Sequence, residues 1–186
     1  MDPRHPQSLP AELRTERLLL RRWRPEDRIA FARMNADPRV MEFFPAVQSR
    51  EESDAVADRI EAHFQQHGFG LWAVEIEDIT PFAGFIGLTH TRFEAHFTPA
   101  IEIGWRLDAD HWNQGYVTEG ARAALDFGFT TLGLNEIVSF TVPTNLSSRR
   151  VMEKIGMIHS PDDDFDHPLV PEGHRLRRHV LYRLGR

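Results

Sequence analysis

The pattern of hydrophobic and polar positions divides the chain into segments with two different periods. Residues 15–23 are rich in apolar side chains and predict a first strand. Residues 24–38 carry the signals of a helix, because a proline and two acidic residues stand near the start and a second proline stands at the end. Residues 49–68 predict a second helix, since Ser49 and Glu52 have the spacing of a capping box and apolar side chains recur every four residues.

A period of two residues follows in the middle of the chain and predicts three strands. Alternating apolar positions mark Trp72–Ile76 and the residues around Phe85, with a turn between them. In the third strand, 101–107, the odd-numbered side chains are apolar, whereas Glu102 and the other even-numbered side chains lie on the opposite face. This strand therefore presents its two faces to different surroundings.

The last third of the chain alternates helices with strands. Its predicted elements are a helix from about Val117, a strand in 136–142, a short helix in 145–156 and a final strand in 176–184. Residues 160–174 are acidic and proline-rich and predict a long surface loop. The order β-α-α-β-β-β-α-β-α-β predicts the α/β fold class, with helices on a mixed, mostly antiparallel sheet that contains at least one parallel strand pair. We assign 1–13 to a loose lead-in and 14–186 to a single domain.

Composition narrows the classes of function. The net charge of −6 argues against a nucleic acid as the main partner, because binding to phosphates needs a basic surface. The absence of cysteine excludes disulfides, thiolate metal ligands and a cysteine nucleophile. No apolar run is long enough to span a membrane, so we expect a cytoplasmic protein with no membrane partner. The histidines do not have the spacing of a known metal motif, and we expect no metal.

Two strand-to-helix junctions carry residues that fit either a structural or a functional role. Gly115 precedes a helix start, where unpaired backbone N–H groups attract a phosphate-sized anion, but a glycine there also makes an ordinary tight turn. Neither a Gly-Lys-Ser/Thr ending nor a GxGxxG pattern occurs in the chain. At the second junction, Asn145 and Ser148 either cap a helix or face a crevice between two diverging strands. From these residues alone both interpretations stay open.

Taken together, four segments make the chain resemble the GCN5-related N-acetyltransferases (the GNAT superfamily), in the branch of the ribosomal-protein N-terminal acetyltransferases RimJ and RimL. The segments are TERLLLR at 15–21, DPRVMEFF at 37–44, IEIGWRLDADHWNQGYVTEGARAALDFGF at 101–129 and NLSSRRVMEKIGM at 145–157. The order of elements agrees as well, so that the similarity spans residues 14–184. The resemblance implies acetyl-coenzyme A (acetyl-CoA) as the acyl-donor cosubstrate, and a bulged strand at 101–107 that splays from its neighbour.

The resemblance also assigns residues to acetyl-CoA. The pantetheine arm is expected along the backbone of Trp105, Arg106 and Leu107. The pyrophosphate is expected on the loop of Trp112, Asn113, Gln114, Gly115, Tyr116, Val117 and Thr118. Asn145 and Ser148 match an Asn-x-x-Ser pair whose side chains face acetyl-CoA. The loop departs from the general pattern Gln/Arg-x-x-Gly-x-Gly/Ala at Trp112 and Val117, where the expected contacts are mostly through the backbone.

Acetyl transfer to an amine needs a base for the amine, a polarised thioester carbonyl and a proton for the leaving thiolate. Glu102 is the candidate base, although a glutamate on that strand can equally be solvated or salt-bridged. Neither of the two tyrosines is placed to act as the acid, so Ser148 is the candidate acid, with a helix-cap role as its alternative. The candidates for the acceptor pocket, which equally fit a core, are Phe43, Phe44 and Trp72.

The predicted function is therefore that of an N-acetyltransferase, which moves an acetyl group from acetyl-CoA to a primary amine by direct attack in a ternary complex. The acceptor is either a protein N-terminus or a small molecule such as an amino acid, a polyamine or an aminoglycoside. Two alternatives remain: an acyl-CoA-binding sensor without transferase activity, and a transferase that uses another acyl-CoA. The sequence determines neither the acceptor nor the oligomeric state, and a homodimer is one option.

Overall fold

A computed structural model describes residues 9–186 of the chain. The predicted lead-in therefore lies largely outside the described residues. The strands are β1 (Leu13–Arg14), β2 (Leu18–Arg21), β3 (Leu71–Ile76), β4 (Thr80–His90), β5 (Ile101–Leu107), β6 (Glu136–Thr141), β7 (Ile158–His159), β8 (Phe165–Asp166) and β9 (Arg178–Gly185). The helices are α1 (Asp27–Asn35), α2 (Arg50–His67), α3 (Tyr116–Thr130) and α4 (Leu146–Lys154). The order of the long elements is the predicted one.

The strands form one mixed sheet in the order β1-β2-β3-β4-β5-β6-β9-β7, with β8 paired to β9. Its strand pairs are antiparallel except β5 and β6, which are parallel and meet at the single pair Glu102 and Val138. The hydroxyl of Ser139 on β6 donates to the carbonyl oxygen of Ile103 at 2.9 Å. Beyond this point the two strands diverge, which confirms the expected splay. The β6-facing backbone of β5 after Ile103 has no strand partner among the described residues.

The prediction of a bulge in β5 is wrong for the side of the strand that pairs with β4. The two strands pair without a register shift from Ile101 opposite His90 to Leu107 opposite Gly84. The irregular residue is instead Gly84 on β4, which has a φ of 138°. A side chain at Gly84 would collide with the backbone carbonyl of Arg106, so close approach of the two strands requires glycine there.

Helix α2 begins and ends at the predicted signals. The hydroxyl of Ser49 accepts from the backbone N–H of Glu52 at 3.2 Å, and the carboxylate of Glu52 accepts from the backbone N–H of Ser49 at 2.8 Å. Gly68 ends the helix in the left-handed conformation, with a φ of 78°. An N-cap of this kind stabilises a helix by about 1 kcal/mol. Both ends of α2 are therefore fixed, which matters for the histidines it carries.

The core lies on both faces of the sheet. Helix α3 covers one face at close range, because a Cβ added to Gly120 would lie 2.7 Å from the Cδ1 of Ile86. Trp72 is fully buried on this face, with its ring edge-on to Phe127 at 5.2 Å. Helix α1 covers the other face, where its side chains pack with those of α2 and of the strands. Among the described residues, no helix is long and apolar enough to cross a membrane.

The segment 160–174 is more ordered than the predicted surface loop. It contains a 3₁₀ turn at Pro161–Asp163 and the short strand β8, and the side chain of Phe165 is buried. Phe165 packs with three further phenylalanines, Phe93, Phe97 and Phe140. A strand of two residues leaves no alternation for sequence reasoning to detect, because its period cannot repeat.

Candidate active site

The splayed ends of β5 and β6 form a crevice between the two strand-to-helix junctions. The backbone of β5 lines one wall, and the first turn of α4 lines the other. The indole N–H of Trp105 on β5 donates to the hydroxyl oxygen of Ser148 on α4 at 3.2 Å. This bond ties the two walls together where the strands have already separated.

The loop before α3 leaves the helix start open to a ligand. Gly115 is its N-cap residue with a φ of 84°, and Asn113 also has a positive φ of 60°. The first backbone bond of the helix runs from the N–H of Glu119 to the carbonyl of Gly115 at 3.0 Å. In the described part of the chain, the backbone N–H groups from Gly115 to Thr118 have no acceptor. Four free N–H groups at a helix N-terminus can bind a phosphate-sized anion.

Arg17 supports this loop and was missed by sequence reasoning. Its guanidinium donates to the carbonyl of Gln114 at 3.0 Å, lies over the ring of Tyr116 at 4.6 Å and pairs with Glu119 at 2.7 Å. Burial alone would raise the pKa of Glu119, but hydrogen bonds from Thr15 and Arg17 outweigh it and lower that pKa. The TERLLLR motif therefore does more than form a strand, because its first residues hold the loop in place.

The two departures from the general loop pattern have structural roles in this chain. The indole N–H of Trp112 donates to the carbonyl of Leu107 at 2.9 Å and so ties the loop to the end of β5. The side chain of Val117 packs against the core, and Tyr116 is buried. Tyr116 and Val117 thus offer their backbone N–H groups, rather than their side chains, to the crevice.

Asn145 caps α4, while the hydroxyl proton of Ser148 has no acceptor among the described residues. The side-chain oxygen of Asn145 accepts from the backbone N–H of Ser148 at 3.2 Å, and its amide donates to the hydroxyl of Thr141 at 3.0 Å. The helix-cap role considered for Ser148 therefore belongs to Asn145. Because the Ser148 oxygen accepts from Trp105, its own O–H is directed elsewhere and is available to a bound group.

Glu102 lines a cavity of about 280 Å³ on the face of β5 that is turned away from α3. The predicted division of faces is confirmed, because Ile103 and Leu107 lie in the α3-side core. No hydrogen-bond or ion-pair partner for the Glu102 carboxyl exists among the described residues, and burial raises its pKa to about 8. Gly104 leaves the space beside it open, since a Cβ added there would meet only the Glu102 Oε1, at 3.8 Å.

Apart from Glu102, the residues that line the cavity were not predicted as site residues from the sequence. They come from α2, the end of β4 and the segments near residues 92, 140 and 168, and include Arg59, His63, His90, Arg92, Phe140 and His167. Arg59 and Arg92 are exposed and have no carboxylate within salt-bridge distance in the described part of the chain. Burial lowers the pKa of His63 to about 4, so this histidine is neutral at pH 7. The cavity therefore joins one carboxyl group with two exposed guanidiniums.

The aromatic residues predicted for an acceptor pocket lie elsewhere. Trp72 is wrong for that role, because it is 0% exposed and forms part of the core. Phe43 and Phe44 do not line the Glu102 cavity. Phe44 instead packs on the guanidinium of Arg106 at 4.0 Å, and burial lowers the pKa of Arg106 to about 10. The side chain of Arg106 is thus held on the α1 side, and its backbone carbonyl points to β4 rather than to the open edge of β5.

The chain is similar to known proteins in sequence and in fold. A family model described as an acetyltransferase (GNAT) domain matches residues 17–158. The chain is similar to the uncharacterized N-acetyltransferase YnaD of Bacillus subtilis, with 30% identity over 86% of this chain and 88% of that protein. It is also similar to a GNAT-family acetyltransferase structure from Bacillus anthracis, with 28% identity, a TM-score of 0.77 and coverage of 94% and 98% of the two chains. RimL, a ribosomal L7/L12 α-N-protein acetyltransferase solved in complex with coenzyme A, shares the fold at 16% identity and a TM-score of 0.72, over 95% of this chain and 97% of that one.

Proposed function

The chain belongs to the GNAT family of acetyltransferases, and on this premise we propose how its own residues transfer an acetyl group to an amine. Its activity is that of an N-acetyltransferase that uses acetyl-CoA. The observation that supports the assignment of residues is the position of Glu102. This carboxyl has no hydrogen-bond or ion-pair partner within residues 9–186, opens onto a cavity, and stands at the one residue of β5 that pairs with β6 there.

Acetyl-CoA is assigned to the crevice between β5 and α4. The free N–H groups from Gly115 to Thr118 suit its pyrophosphate, because they are donors at the positive end of a helix dipole. The edge of β5 from Trp105 to Leu107 that faces away from β4 has no strand partner among the described residues and suits the amides of its pantetheine arm, with the carbonyl of Leu107 already accepting from Trp112. An N–H of the same edge polarises the thioester carbonyl.

Glu102 accepts the proton of the acceptor amine. A carboxyl whose pKa lies near 8 matches a base that works close to neutral pH, where ordinary glutamates are too weak. The neutral amine then attacks the thioester carbonyl directly, and the C–S bond breaks. The hydroxyl of Ser148, whose oxygen is held by Trp105, donates its proton to the departing thiolate and takes up the proton that the attacking nitrogen loses on becoming an amide, so no alkoxide remains.

The acceptor we propose is a small primary amine that also carries an anionic group. The cavity of about 280 Å³ lies at the lower end of ligand pockets, which fits a small molecule better than a folded protein surface. Arg59 and Arg92 are positioned to bind a carboxylate or phosphate of such an acceptor. A polyamine or an aminoglycoside would instead meet two uncompensated positive charges.

A transferase assay with a panel of amines tests this assignment. We expect turnover with acetyl-CoA to be highest for amino acids or other anionic amines, and Arg92→Ala to raise KM for these amines but not for a neutral amine. Glu102→Gln should lower kcat by about 10²–10⁴-fold, as is typical of losing a general base, and leave acetyl-CoA affinity unchanged. Glu172→Gln, an exposed glutamate away from the cavity, is the matched control.

Three results would contradict the assignment. Tight binding of acetyl-CoA without turnover on any amine would favour the acyl-CoA sensor. Equal turnover by Glu102→Gln and wild type would remove Glu102 from the mechanism. A preference for succinyl-CoA over acetyl-CoA in a calorimetric comparison of donors would point to a different acyl group.

A further inference from the structure

Three histidines from two separate elements meet beside the acceptor cavity. His63 and His67 are one helical turn apart on α2, and His90 ends β4. One ring nitrogen of each histidine lies within 4.8 Å of one ring nitrogen of each of the other two. The rings of His67 and His90 are 4.3 Å apart, and those of His63 and His67 are 4.5 Å apart. Three imidazoles that converge in this way allow one ion to bind all of them.

The hydrogen bonding of His63 fixes which nitrogen faces the cluster. Its Nδ1 lies 2.8 Å from the carbonyl oxygen of Phe69, and because a carbonyl only accepts, Nδ1 carries the proton. The Nε2 of His63 therefore faces His90 as an acceptor: the backbone N–H of His90 donates to it at 3.3 Å, and the Nδ1 of His90 lies 3.1 Å away, so a metal ion at Nε2 would replace these contacts. A histidine that donates its second N–H to a backbone carbonyl is the usual arrangement of a metal ligand. Two nitrogens on one tetrahedral zinc ion, each at about 2.0–2.1 Å, lie about 3.3 Å apart, close to the separation observed here.

We propose that His63, His67 and His90 form a binding site for a transition-metal dication such as Zn²⁺. Neutral imidazoles favour zinc and its neighbours in the first transition row over Mg²⁺ or Ca²⁺, which prefer oxygen ligands. Three protein ligands leave a fourth position open, and this position faces a cavity of about 330 Å³ that Arg59, Gln66 and Arg92 also line. No known metal motif predicts this site, because the third ligand lies far along the chain from the pair on α2.

The site shares a wall with the acceptor cavity, since His63 and His90 line both. A bound dication would fix the end of α2 to the end of β4 and so hold that wall in place. The guanidiniums of Arg59 and Arg92 would repel a bound dication. An anion or a water at the fourth position would lie between them and the metal. We therefore expect Arg92→Gln to tighten metal binding, a result that a purely structural histidine cluster would not give.

Metal titration of the tag-free, chelator-treated protein tests this site. We expect one equivalent of Zn²⁺ to bind and to raise the thermal unfolding temperature, and Co²⁺ to give the visible absorption of a tetrahedral site. His67→Ala should weaken Zn²⁺ binding by more than the 10–100-fold typical of losing an outer partner. His67 is only half-buried and makes no side-chain hydrogen bond among the described residues, so this variant should fold. His96→Ala, an exposed histidine outside the cluster, is the matched control.

The site is overturned if wild-type protein binds no stoichiometric Zn²⁺, or if His67→Ala and wild type bind it equally. The titration needs neither acetyl-CoA nor an acceptor. Its failure would therefore leave the assignment of Glu102 standing, and a failure of the transferase assay would leave the metal site standing.

Discussion

Replacing Glu102 by glutamine is expected to stabilise the protein, and to do so only at pH values where an ordinary glutamate is ionised. Burial raises the pKa of Glu102 from 4.5 to about 8. Between these values the folded state keeps the proton and the unfolded state releases it. The free energy of unfolding of the wild type therefore falls as the pH rises through this window. A glutamine carries no such proton and removes this dependence.

The size of the stability gain follows from the difference between the pKa values of Glu102 in the folded and unfolded states. At pH 7 the group lies about 2.5 pH units above its unfolded pKa, and each unit is worth about 1.4 kcal/mol, so the carboxyl costs up to about 3 kcal/mol. Removing that cost should raise the unfolding temperature by about 5–10 °C for a domain of this size. The gain should disappear near pH 4.5 and reach its maximum near pH 8.

Urea unfolding of the wild type and of Glu102→Gln at pH 5, 6, 7 and 8 measures this difference. Glu172→Gln serves as the control, because Glu172 is exposed and does not line the cavity. A stability difference that stays constant with pH would refute the burial of an unpaired carboxyl at this position. A destabilised variant at pH 8 would refute it as well.

Three further substitutions probe the acetyl-CoA crevice. Gly115→Ala forces an alanine to a φ of 84°, which costs about 1–2 kcal/mol of stability. This variant should also raise the Kd for coenzyme A, measured by calorimetry. The control Gly173→Ala, at a φ of 76° in open space, should lower only the stability. Ser148→Ala should lower kcat by less than about 10²-fold, because a thiolate leaves readily, and Ser147→Ala should not change it in the same steady-state assay. Arg17→Gln should raise KM for acetyl-CoA and leave kcat nearly unchanged, because Arg17 supports the loop and not the reacting atoms.

Local patterns in the sequence predicted the elements and the two faces of β5. The capping box of Ser49 and Glu52 and the glycine at 68 act within one helix, so their residues are visible side by side in the chain. The alternation in β5 placed Glu102 opposite the apolar stripe for the same reason. Trp72 shows the limit of this reasoning, because alternation separates two faces but does not say which of them is covered.

Apart from Glu102, the residues of the cavity could not be predicted, since they come from distant segments. Arg59 and His63 lie on α2, Arg92 follows β4 and His167 lies near β8, and the sheet order alone brings them to one place. The two strand-to-helix junctions were predictable, because they follow one another in the sequence, and their assignment to acetyl-CoA rests on the resemblance and stays a proposal. The acceptor side has no such local signal.

The pH dependence of kcat/KM for the amine, measured at saturating acetyl-CoA in wild type and Glu102→Gln, tests the central role of Glu102 most directly. A general base works when it is deprotonated, so the wild-type rate should rise with pH through a midpoint near 8, where burial has placed the pKa of Glu102. In Glu102→Gln this limb should vanish, and the remaining rise should follow the ionisation of the amine itself. The same limb in both proteins would show that another group takes the proton and would contradict the account.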